Sequence, residues 1–281
     1  MSEKLLGKPV SEKIQAQILS DLQSWKERGL RVPHLVVILV GDDPASQVYV
    51  GHKEKMCQKL GFQSTVIRKP SSLTESELIA LIENLNSDTT VDAILVQLPL
   101  PIHIDSRKVL NTIRASKDAD CLTELNLGKI LTQTAVIYPC TPSGVLEICK
   151  HYDIGLSGKS IAVVGRSLIV GTPLFHLLNK ANATVTMFHS KSQQIKEQIK
   201  NFDIVCVAMG KPQFFKSTDL KKGAVLIDVG IHRLDSGLCG DVLIDSEDHL
   251  QSYTPVPGGV GVMTIAMLMK NTMKLAELQR G

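Results

Sequence analysis

Lys53 is the residue of this chain whose type and spacing best suit proton transfer. A helix is expected from Asp42-Asp43-Pro44 onward, and at about 100° per residue its apolar face carries Lys53 beside Tyr49 and Met56. A lysine on an inward face is unusual, because burying an ammonium group is costly. The residues alone favour a lysine that snorkels at the edge of the face. If Lys53 is instead desolvated, its pKa falls and the neutral amine can act as a base.

Gln97 is a second polar residue in a chemically useful place. It ends a strand expected over residues 93–97 and precedes Leu98-Pro99-Leu100-Pro101. The C-terminal ends of parallel strands are where α/β sheets present ligands. Gln97 is then either a plain strand-end polar group or a neutral partner that orients Lys53. An amide suits the second role, because a glutamate would supply a counter-charge that keeps the lysine protonated.

Residues 160–173 have the pattern of an anion-binding turn. A β-branched run over residues 160–164 stops at Gly165, and Gly171-Thr172-Pro173 opens an apolar-periodic helix. The N–H groups and the dipole at a helix N-terminus favour a phosphate. The spacing departs from G-x-G-x-x-G, because Ser167 stands where the second glycine would be. An ordinary βα turn is the alternative.

The next strand indicates which dinucleotide this turn would bind. Sites for NAD place an acidic residue about 20 residues past the glycines, but residues 184–188 lead into His189-Ser190-Lys191, with no carboxylate. Arg166 directly follows the first glycine. A basic, hydroxyl-rich pocket suits a 2′-phosphate. A solvated loop explains each residue singly but not their joint placement, so the sequence predicts NADP rather than NAD.

Strand and helix patterns alternate along the whole chain, which predicts an α/β fold with parallel sheets. A capping box, Thr74-x-x-Glu77, precedes one of the helices. Residues 117–142 are mixed in pattern and are interpreted as an interdomain connection. Strands are expected at 34–40, 65–68, 93–97, 160–164, 184–188, 204–208 and 224–228, and helices at 10–25, from 44, from 75, 143–152 and 264–278.

Composition limits the class of protein. The 281 residues favour two domains, and 43% hydrophobic with 21% charged residues indicates a folded chain. A net charge of +3 is too small to indicate binding to nucleic acid or to an anionic membrane. No run approaches the ~18 apolar residues of a membrane span, and the N-terminus lacks a signal pattern. Six cysteines without a C-x-x-C pair predict reduced thiols in the cytoplasm, and eight histidines without paired spacing predict no metal site.

An ordered set of motifs resembles one known family. The motifs are Tyr49-x-x-x-Lys53, Val96-Gln-Leu-Pro-Leu-Pro101, Lys117-Asp-x-Asp120, Pro139-Cys-Thr-Pro-Ser-Gly144, Gly165-Arg-Ser-x-x-Val-Gly-x-Pro173 and Pro255-Val-Pro-Gly-Gly-Val-Gly261. Together they are similar to the bifunctional methylenetetrahydrofolate dehydrogenase/cyclohydrolases of one-carbon metabolism (the FolD family) over nearly the whole chain. The resemblance implies two three-layer α/β domains with a cleft between them, and a homodimer. Residues 1–121 plus 263–281 would form the folate domain, and residues 122–262 the linking region and a Rossmann-like NADP domain.

The resemblance also implies a pair of reactions. These are the NADP-dependent oxidation of 5,10-methylene-tetrahydrofolate to the 5,10-methenyl form and its hydrolysis to 10-formyl-tetrahydrofolate, a step connected to purine biosynthesis. A monofunctional dehydrogenase is the principal alternative. A catalytically silent binding protein would have no use for Lys53 and Gln97. An oxidoreductase of an unrelated carbonyl compound leaves Asp120 and the Pro-Gly-Gly loop unexplained.

Roles carried over from the family fall on specific positions. Lys53 would be the general acid/base, Gln97 would orient it, and Tyr49 would shape the folate pocket. Asp120 would bind the pterin, since a carboxylate can accept two N–H bonds from an aminopyrimidine edge; a turn carboxylate is the alternative. The other implied residues are Pro257, Gly258 and Gly259 at the folate, or in a simple tight turn, and Gly165, Arg166, Ser167, Ser190 and Ile231 at NADP.

Two positions depart from the family pattern. Cys121 replaces a glycine after Asp120, so a turn that uses positive φ would be strained. Val262 stands where the family has a proline at the start of the last helix. Neither change removes a reacting group, so activity is expected to be retained.

Overall fold

The computed structural model describes residues 2–235 and 237–280. The α-helices are α1 (Gly7–Glu27), α2 (Pro44–Leu60), α3 (Glu75–Ser87), α4 (Ser106–Thr112), α5 (Glu124–Leu131), α6 (Cys140–His151), α7 (Gly171–Lys180), α8 (Ile195–Gln198) and α9 (Gly261–Leu278). The strands are β1 (Glu3–Lys4), β2 (His34–Val40), β3 (Gln63–Lys69), β4 (Ala93–Val96), β5 (Ser160–Val164), β6 (Thr184–Phe188), β7 (Ile204–Val207), β8 (Phe215–Lys216), β9 (Val225–Asp228), β10 (His232–Leu234), β11 (Gly237–Cys239), β12 (Val242–Leu243) and β13 (Ser252–Tyr253).

Contacts divide the chain into two compact units. The six-strand unit comprises Met1–Lys13 and Pro139–Thr264, and the three-strand unit comprises Ile14–Tyr138 and Ile265–Gly281. The domain boundaries predicted from the sequence differ from this division at residues 1–13, 122–138 and 263–264, and they stay a prediction.

The three-strand unit is built on a parallel sheet in the order β3-β2-β4. All seven residues of β2 are buried, because helices cover both faces of the central strand. On one face, Val36, Ile38 and Val40 pack with apolar residues of α3 and α4. The capping box predicted at Thr74 and Glu77 is present at the start of α3. Of the described helices, none is long and apolar enough to cross a membrane.

The six-strand unit contains a parallel sheet in the order β1-β13-β9-β7-β5-β6. β5, α7 and β6 form a βαβ unit at one edge of this sheet, in which α7 packs against both strands. Phe188, Phe202 and Phe215 lie in the apolar cluster on one face. All six cysteines carry reduced thiols, and Cys239 alone among them is not fully buried.

The predicted alternation of strands and helices is confirmed, and each predicted end either matches the structure or is shifted by one to three residues. Several elements were not predicted, namely α4, α5, α8 and the short strands β1, β8 and β10–β13. Residues 117–142 contain α5, whose N-cap Thr123 accepts a hydrogen bond from the Asn126 N–H. This helix has only eight residues, too few for its apolar periodicity to stand out from the surrounding polar chain.

Candidate active and cofactor sites

Lys53 and Gln97, which are 44 residues apart in sequence, are in direct contact in the three-strand unit. The Lys53 Nζ donates a hydrogen bond of 2.8 Å to Gln97 Oε1. Gln97 Nε2 in turn donates to the Leu98 carbonyl at 2.7 Å, which fixes the amide with its oxygen toward the lysine. Only 7% of Lys53 is exposed, so it does not snorkel to solvent. An uncharged amide oxygen therefore accepts from a buried lysine, which is the contact that the second interpretation of Gln97 requires.

The face of α2 explains how Lys53 becomes buried. The buried residues follow a helical i, i+3/i+4 line with Lys53 at its centre, namely Ser46, Val50, Lys53, Cys57 and Leu60. At the far end of this line, the Cys57 thiol donates to Met269 Sδ of α9 at 3.6 Å. Tyr49 lies one turn before Lys53 but is 40% exposed, at the rim of the buried face rather than within it.

Asp120 is positioned by two buried charged neighbours that hold its segment in place. Asp118 pairs in parallel with Ile94 of β4, so Asp120 lies in the turn that directly follows this pairing. The Lys117 Nζ donates to the carbonyls of Leu85 and Asp88, at 2.9 and 2.6 Å. Burial lowers the pKa of the Lys117 ammonium. Asp120 itself is half-buried, consistent with a carboxylate that can still meet a ligand.

The Asp118 carboxylate organises the chain beyond Asp120. It accepts hydrogen bonds from the N–H groups of Leu122 and Thr123, at 3.2 and 2.9 Å, and from Asn126 Nδ2 at 2.9 Å. Burial raises the pKa of Asp118, against the lowering effect of these donors. Sequence reasoning treated Lys117 and Asp118 only as parts of a motif. The sequence showed only two charged residues directly before Ala119. That Ala119 and both charged residues are buried is visible only in the structure.

Cys121 adopts the conformation that was expected of the glycine it replaces. Its φ is +59°, in the left-handed region that non-glycine residues disfavour. The side chain is fully buried and its thiol donates to the Ile137 carbonyl at 3.4 Å. Burial also raises the pKa of this thiol. Packing and the weak hydrogen bond therefore offset the backbone strain.

The turn after β5 is shaped by two close backbone approaches. Gly165 has φ +125°, and a Cβ there would overlap the Ala208 carbonyl at the end of β7. A Cβ on Gly171 would overlap the Gly165 carbonyl. The chain can therefore pass from β5 into α7 only with glycine at both positions. The result brings the N-terminus of a ten-residue helix to the carboxyl edge of the sheet, which is the arrangement that favours an anion.

Arg166, Ser167 and Ser190 are all exposed at this same edge. Val164 pairs with Phe188 in the sheet, so Arg166 and Ser190 each lie two residues beyond neighbouring strand positions. Ser167 Oγ accepts from the N–H groups of Val170 and Gly171, at 3.1 and 3.4 Å. Ser167 thus stabilises the turn from within, in addition to any part it plays toward a ligand.

The remaining predicted residues lie in two loops of the six-strand unit. Ile231, 43% exposed, follows β9 and touches the position that a Cβ on Gly261 would occupy. In the loop before α9, Pro257 is exposed and Gly258 half-buried, whereas Gly259 is buried. The Gly259 N–H donates to the Pro255 carbonyl at 2.7 Å, and a Cβ on Gly259 would overlap that carbonyl and the Thr254 side chain, so the turn itself requires glycine here. α9 begins at Gly261 without the family's proline at position 262.

Two buried aspartates of the same unit escaped the sequence patterns. Asp228 ends β9, and Asp241 lies in the loop before β12. Each has a nearby glycine, in Asp228-Val-Gly230 and Gly240-Asp241, and this was the available signal. Within residues 2–235 and 237–280, no group of three or more His, Cys, Asp or Glu side chains is arranged to hold a metal ion.

The fold and the two sites define a class: an α/β protein with a buried lysine–glutamine pair in one unit and a nucleotide-type βαβ turn in the other. Comparison with known families shows which family within this class the chain matches. Residues 5–120 match the tetrahydrofolate dehydrogenase/cyclohydrolase catalytic domain, and residues 139–280 match the NAD(P)-binding domain of the same family. The chain therefore belongs to the tetrahydrofolate dehydrogenase/cyclohydrolase family, as its motifs predicted.

Individual relatives match this chain over nearly its full length. The chain is 50% identical over 273 residues to a bifunctional protein FolD of Ligilactobacillus salivarius, covering 96% of this chain and 95% of the relative. It is similar to the crystal structure of the bifunctional FolD of Campylobacter jejuni, with a TM-score of 0.96, 42% identity and 99% of both chains covered. A Trypanosoma brucei FolD solved with NADP and an inhibitor gives a TM-score of 0.94 at 34% identity, covering 100% of this chain and 99% of that one.

Replacing Cys121 tests the balance between strain and packing at the turn after Asp120. Cys121→Gly relieves the left-handed strain but loses a buried side chain, so its free energy of unfolding should stay within about 1 kcal/mol of the wild type. Cys121→Ala keeps the strain and loses the sulfur, and should cost about 1–2 kcal/mol. Urea unfolding measures both. Folate affinity should be unchanged in Cys121→Gly; a large gain would mean that the native turn displaces Asp120.

Proposed function

We propose that this chain oxidises 5,10-methylene-tetrahydrofolate to the 5,10-methenyl form with NADP and then hydrolyses that product to 10-formyl-tetrahydrofolate. The family assignment supports both reactions, because the relatives from Ligilactobacillus salivarius and Campylobacter jejuni, matched over nearly their full length, are named bifunctional. The observation that carries the proposal is the 2.8 Å hydrogen bond between buried Lys53 and Gln97. A monofunctional dehydrogenase would need only to align the methylene carbon of the substrate with the nicotinamide ring of NADP. Hydride transfer between them requires no proton acceptor, so such an enzyme would not need the Lys53–Gln97 pair.

Hydrolysis is the step that requires an amine of this kind. Water must attack the electrophilic methenyl carbon, and a base must take its proton as the C–O bond forms. A neutral Lys53 amine can accept that proton and return it to the ring nitrogen as the C–N bond breaks. The second proton of the water leaves to solvent as the carbonyl forms, because a cationic substrate gives a neutral formyl product. An ammonium beside a cationic substrate would be repelled. Gln97 holds the amine through an uncharged oxygen, and thus orients Lys53 without adding a negative charge that would favour its protonated form.

The turn between β5 and α7 suits a dinucleotide. The close approach at Gly165 and Gly171 leaves no room for side chains there, and α7 presents its N-terminus. Arg166 and Ser190 follow neighbouring strands and would hold the 2′-phosphate, while Ser167 and Ile231 would complete the site. When bound, NADP supplies the hydride acceptor. The protein would then contribute placement of the two reacting carbons.

The folate would be held by residues whose positions support the roles carried over from the family. Asp120 is a half-exposed carboxylate fixed by its segment's pairing with β4, which suits the aminopyrimidine edge of a pterin. Tyr49 presents an exposed ring one turn from Lys53, where it would shape the pocket wall. Pro257 and Gly258, exposed or half-buried in their loop, would let the backbone approach the substrate, with Gly259 shaping the turn beneath them.

The assembly and the cellular setting belong to the same proposal. Family resemblance supports a homodimer, and the reduced thiols fit the cytoplasm. There the product would serve as a one-carbon donor for purine biosynthesis. Light scattering after size-exclusion chromatography should give twice the mass of one chain; the mass of a single chain would contradict the dimer.

Lys53→Met should separate the two activities. Methionine keeps much of the length and apolar contact of lysine but removes the amine, so hydrolysis of methenyl-tetrahydrofolate should fall by about 10²–10⁴-fold. The affinity for NADP should be unchanged, and dehydrogenase activity should fall less. The assay follows the absorbance of the methenyl substrate without cofactor.

Lys55→Met on the exposed side of the same helix is the matched control and should behave as the wild type. Unchanged hydrolysis in Lys53→Met would place the base elsewhere. If the wild type itself does not accelerate methenyl hydrolysis, the monofunctional alternative is correct.

Arg166→Ala tests the preference for the 2′-phosphate. Loss of one charge-assisted contact should raise the KM for NADP by roughly ten- to a hundredfold and the KM for NAD much less. Steady-state kinetics with both cofactors measures the difference. Arg233→Ala, at an exposed arginine of the same unit, should change neither value. Equal weakening of both cofactors in Arg166→Ala would remove the assignment of the 2′-phosphate to this arginine.

A further inference from the structure

Asp241 is a wholly buried carboxylate that the reactions described above do not use. One of its oxygens accepts from the backbone N–H groups of Met209 and Gly210, at 2.7 and 3.1 Å. The other accepts from the Lys211 N–H at 2.9 Å and lies 2.7 Å from His232 Nε2. Three consecutive N–H groups of one loop therefore converge on a single side chain. A neutral residue of the same shape could not accept all of these bonds.

The loop that Asp241 holds lies beside the turn between β5 and α7. Residues 208–211 follow β7, and the Ala208 N–H donates to the Val164 carbonyl at 2.8 Å. The Ala208 carbonyl then occupies the space that a side chain on Gly165 would need. The position of Gly165 thus depends on where residue 208 lies, and residue 208 is adjacent to the three N–H groups that Asp241 fixes.

Asp241 is in turn held by Asp228. The Asp228 carboxylate accepts from the N–H groups of Asp241 and Val242, at 3.1 and 2.9 Å, and from Gly230 at 2.9 Å. Burial raises the pKa of Asp228 to about 6. The two carboxylates fit together because glycines flank them: a Cβ on Gly230 would overlap the Asp241 side chain, and one on Gly240 would overlap that of Asp228.

We propose that Asp241, with His232 as its side-chain donor, is a positioning residue for the cofactor site. It would set the place of residues 208–211, and through Ala208 the place of Gly165, so that the turn is formed before the dinucleotide arrives. This inference rests on the proposed function, namely that the six-strand unit binds NADP. A rigid turn avoids the ordering cost of binding, so loosening it should weaken the affinity for the cofactor.

Asp241→Asn is the direct test. Asparagine has one accepting oxygen in place of the two of aspartate, and its NH₂ group would face N–H donors. The dissociation constant for NADP, measured by titration calorimetry, should rise about tenfold or more. The KM for NADP should rise in parallel, while the KM for methylene-tetrahydrofolate stays within about twofold. Unchanged NADP affinity in a folded Asp241→Asn protein would overturn the proposal.

Two further variants keep the test decisive. Asp245→Asn is the matched control, because Asp245 accepts from Ser217 Oγ and Thr218 in another loop of the unit, and it should leave NADP affinity unchanged. If Asp241→Asn does not fold, His232→Leu decides: it should weaken NADP binding, and His232→Gln, which restores an N–H donor, should recover it. NADP affinity unchanged in His232→Leu would then refute the proposal. A wild-type protein that does not bind NADP would instead refute the proposed function.

Discussion

Parallel pairing of the strands is the constraint on which both sites depend. In a parallel sheet every strand ends at the same edge, so residues that follow different strands come together although they are far apart in sequence. In the three-strand unit this brings Gln97 to the edge beside the turn that carries Asp120. In the six-strand unit it gathers the turn at Gly165, the loop after Phe188 and the carboxylate of Asp228. The crossover connections that such sheets require also supply α2, which carries Lys53, and α7, whose N-terminus lies at the carboxyl edge of the sheet.

At the carboxyl edge of each sheet, buried polar groups hold the backbone turns in place, and exposed polar groups remain available to ligands. Lys117 and Asp118 are buried and hydrogen-bonded to the backbone, whereas Asp120 beside them is half-buried. Likewise Asp228 and Asp241 are buried, while Arg166 and Ser190 are exposed. A buried charge without partners would be costly, and each of these carboxylates meets several N–H donors. Each carboxylate accepts from at least two consecutive backbone N–H groups, so one side chain fixes several residues of a turn.

Much of this could be predicted from local sequence, because the periods of strands and helices are local properties. The run His34–Val40 is read directly as a buried strand, and the i, i+4 spacing places Lys53 on the inward face of α2. What could not be predicted depends on partners distant in the chain. Periodicity cannot decide whether Lys53 snorkels, since the answer comes from Gln97. The joint burial of Asp228 and Asp241 depends on a loop after β7 that no spacing in the sequence connects to them.

Because most of the thiols are buried, their reaction with an added reagent can be used to follow local unfolding of the protein. Five of the six cysteines are buried, and only Cys239, in the small β10–β11 hairpin, is partly accessible. Burial raises the pKa of Cys57 to about 11 and that of Cys149 to about 12, so neither forms much of the thiolate that alkylating reagents attack. A maleimide dye added to the native protein would therefore mark the hairpin first. Because Cys57 belongs to the three-strand unit and Cys149 to the six-strand unit, the later order of labelling would show which unit opens more readily.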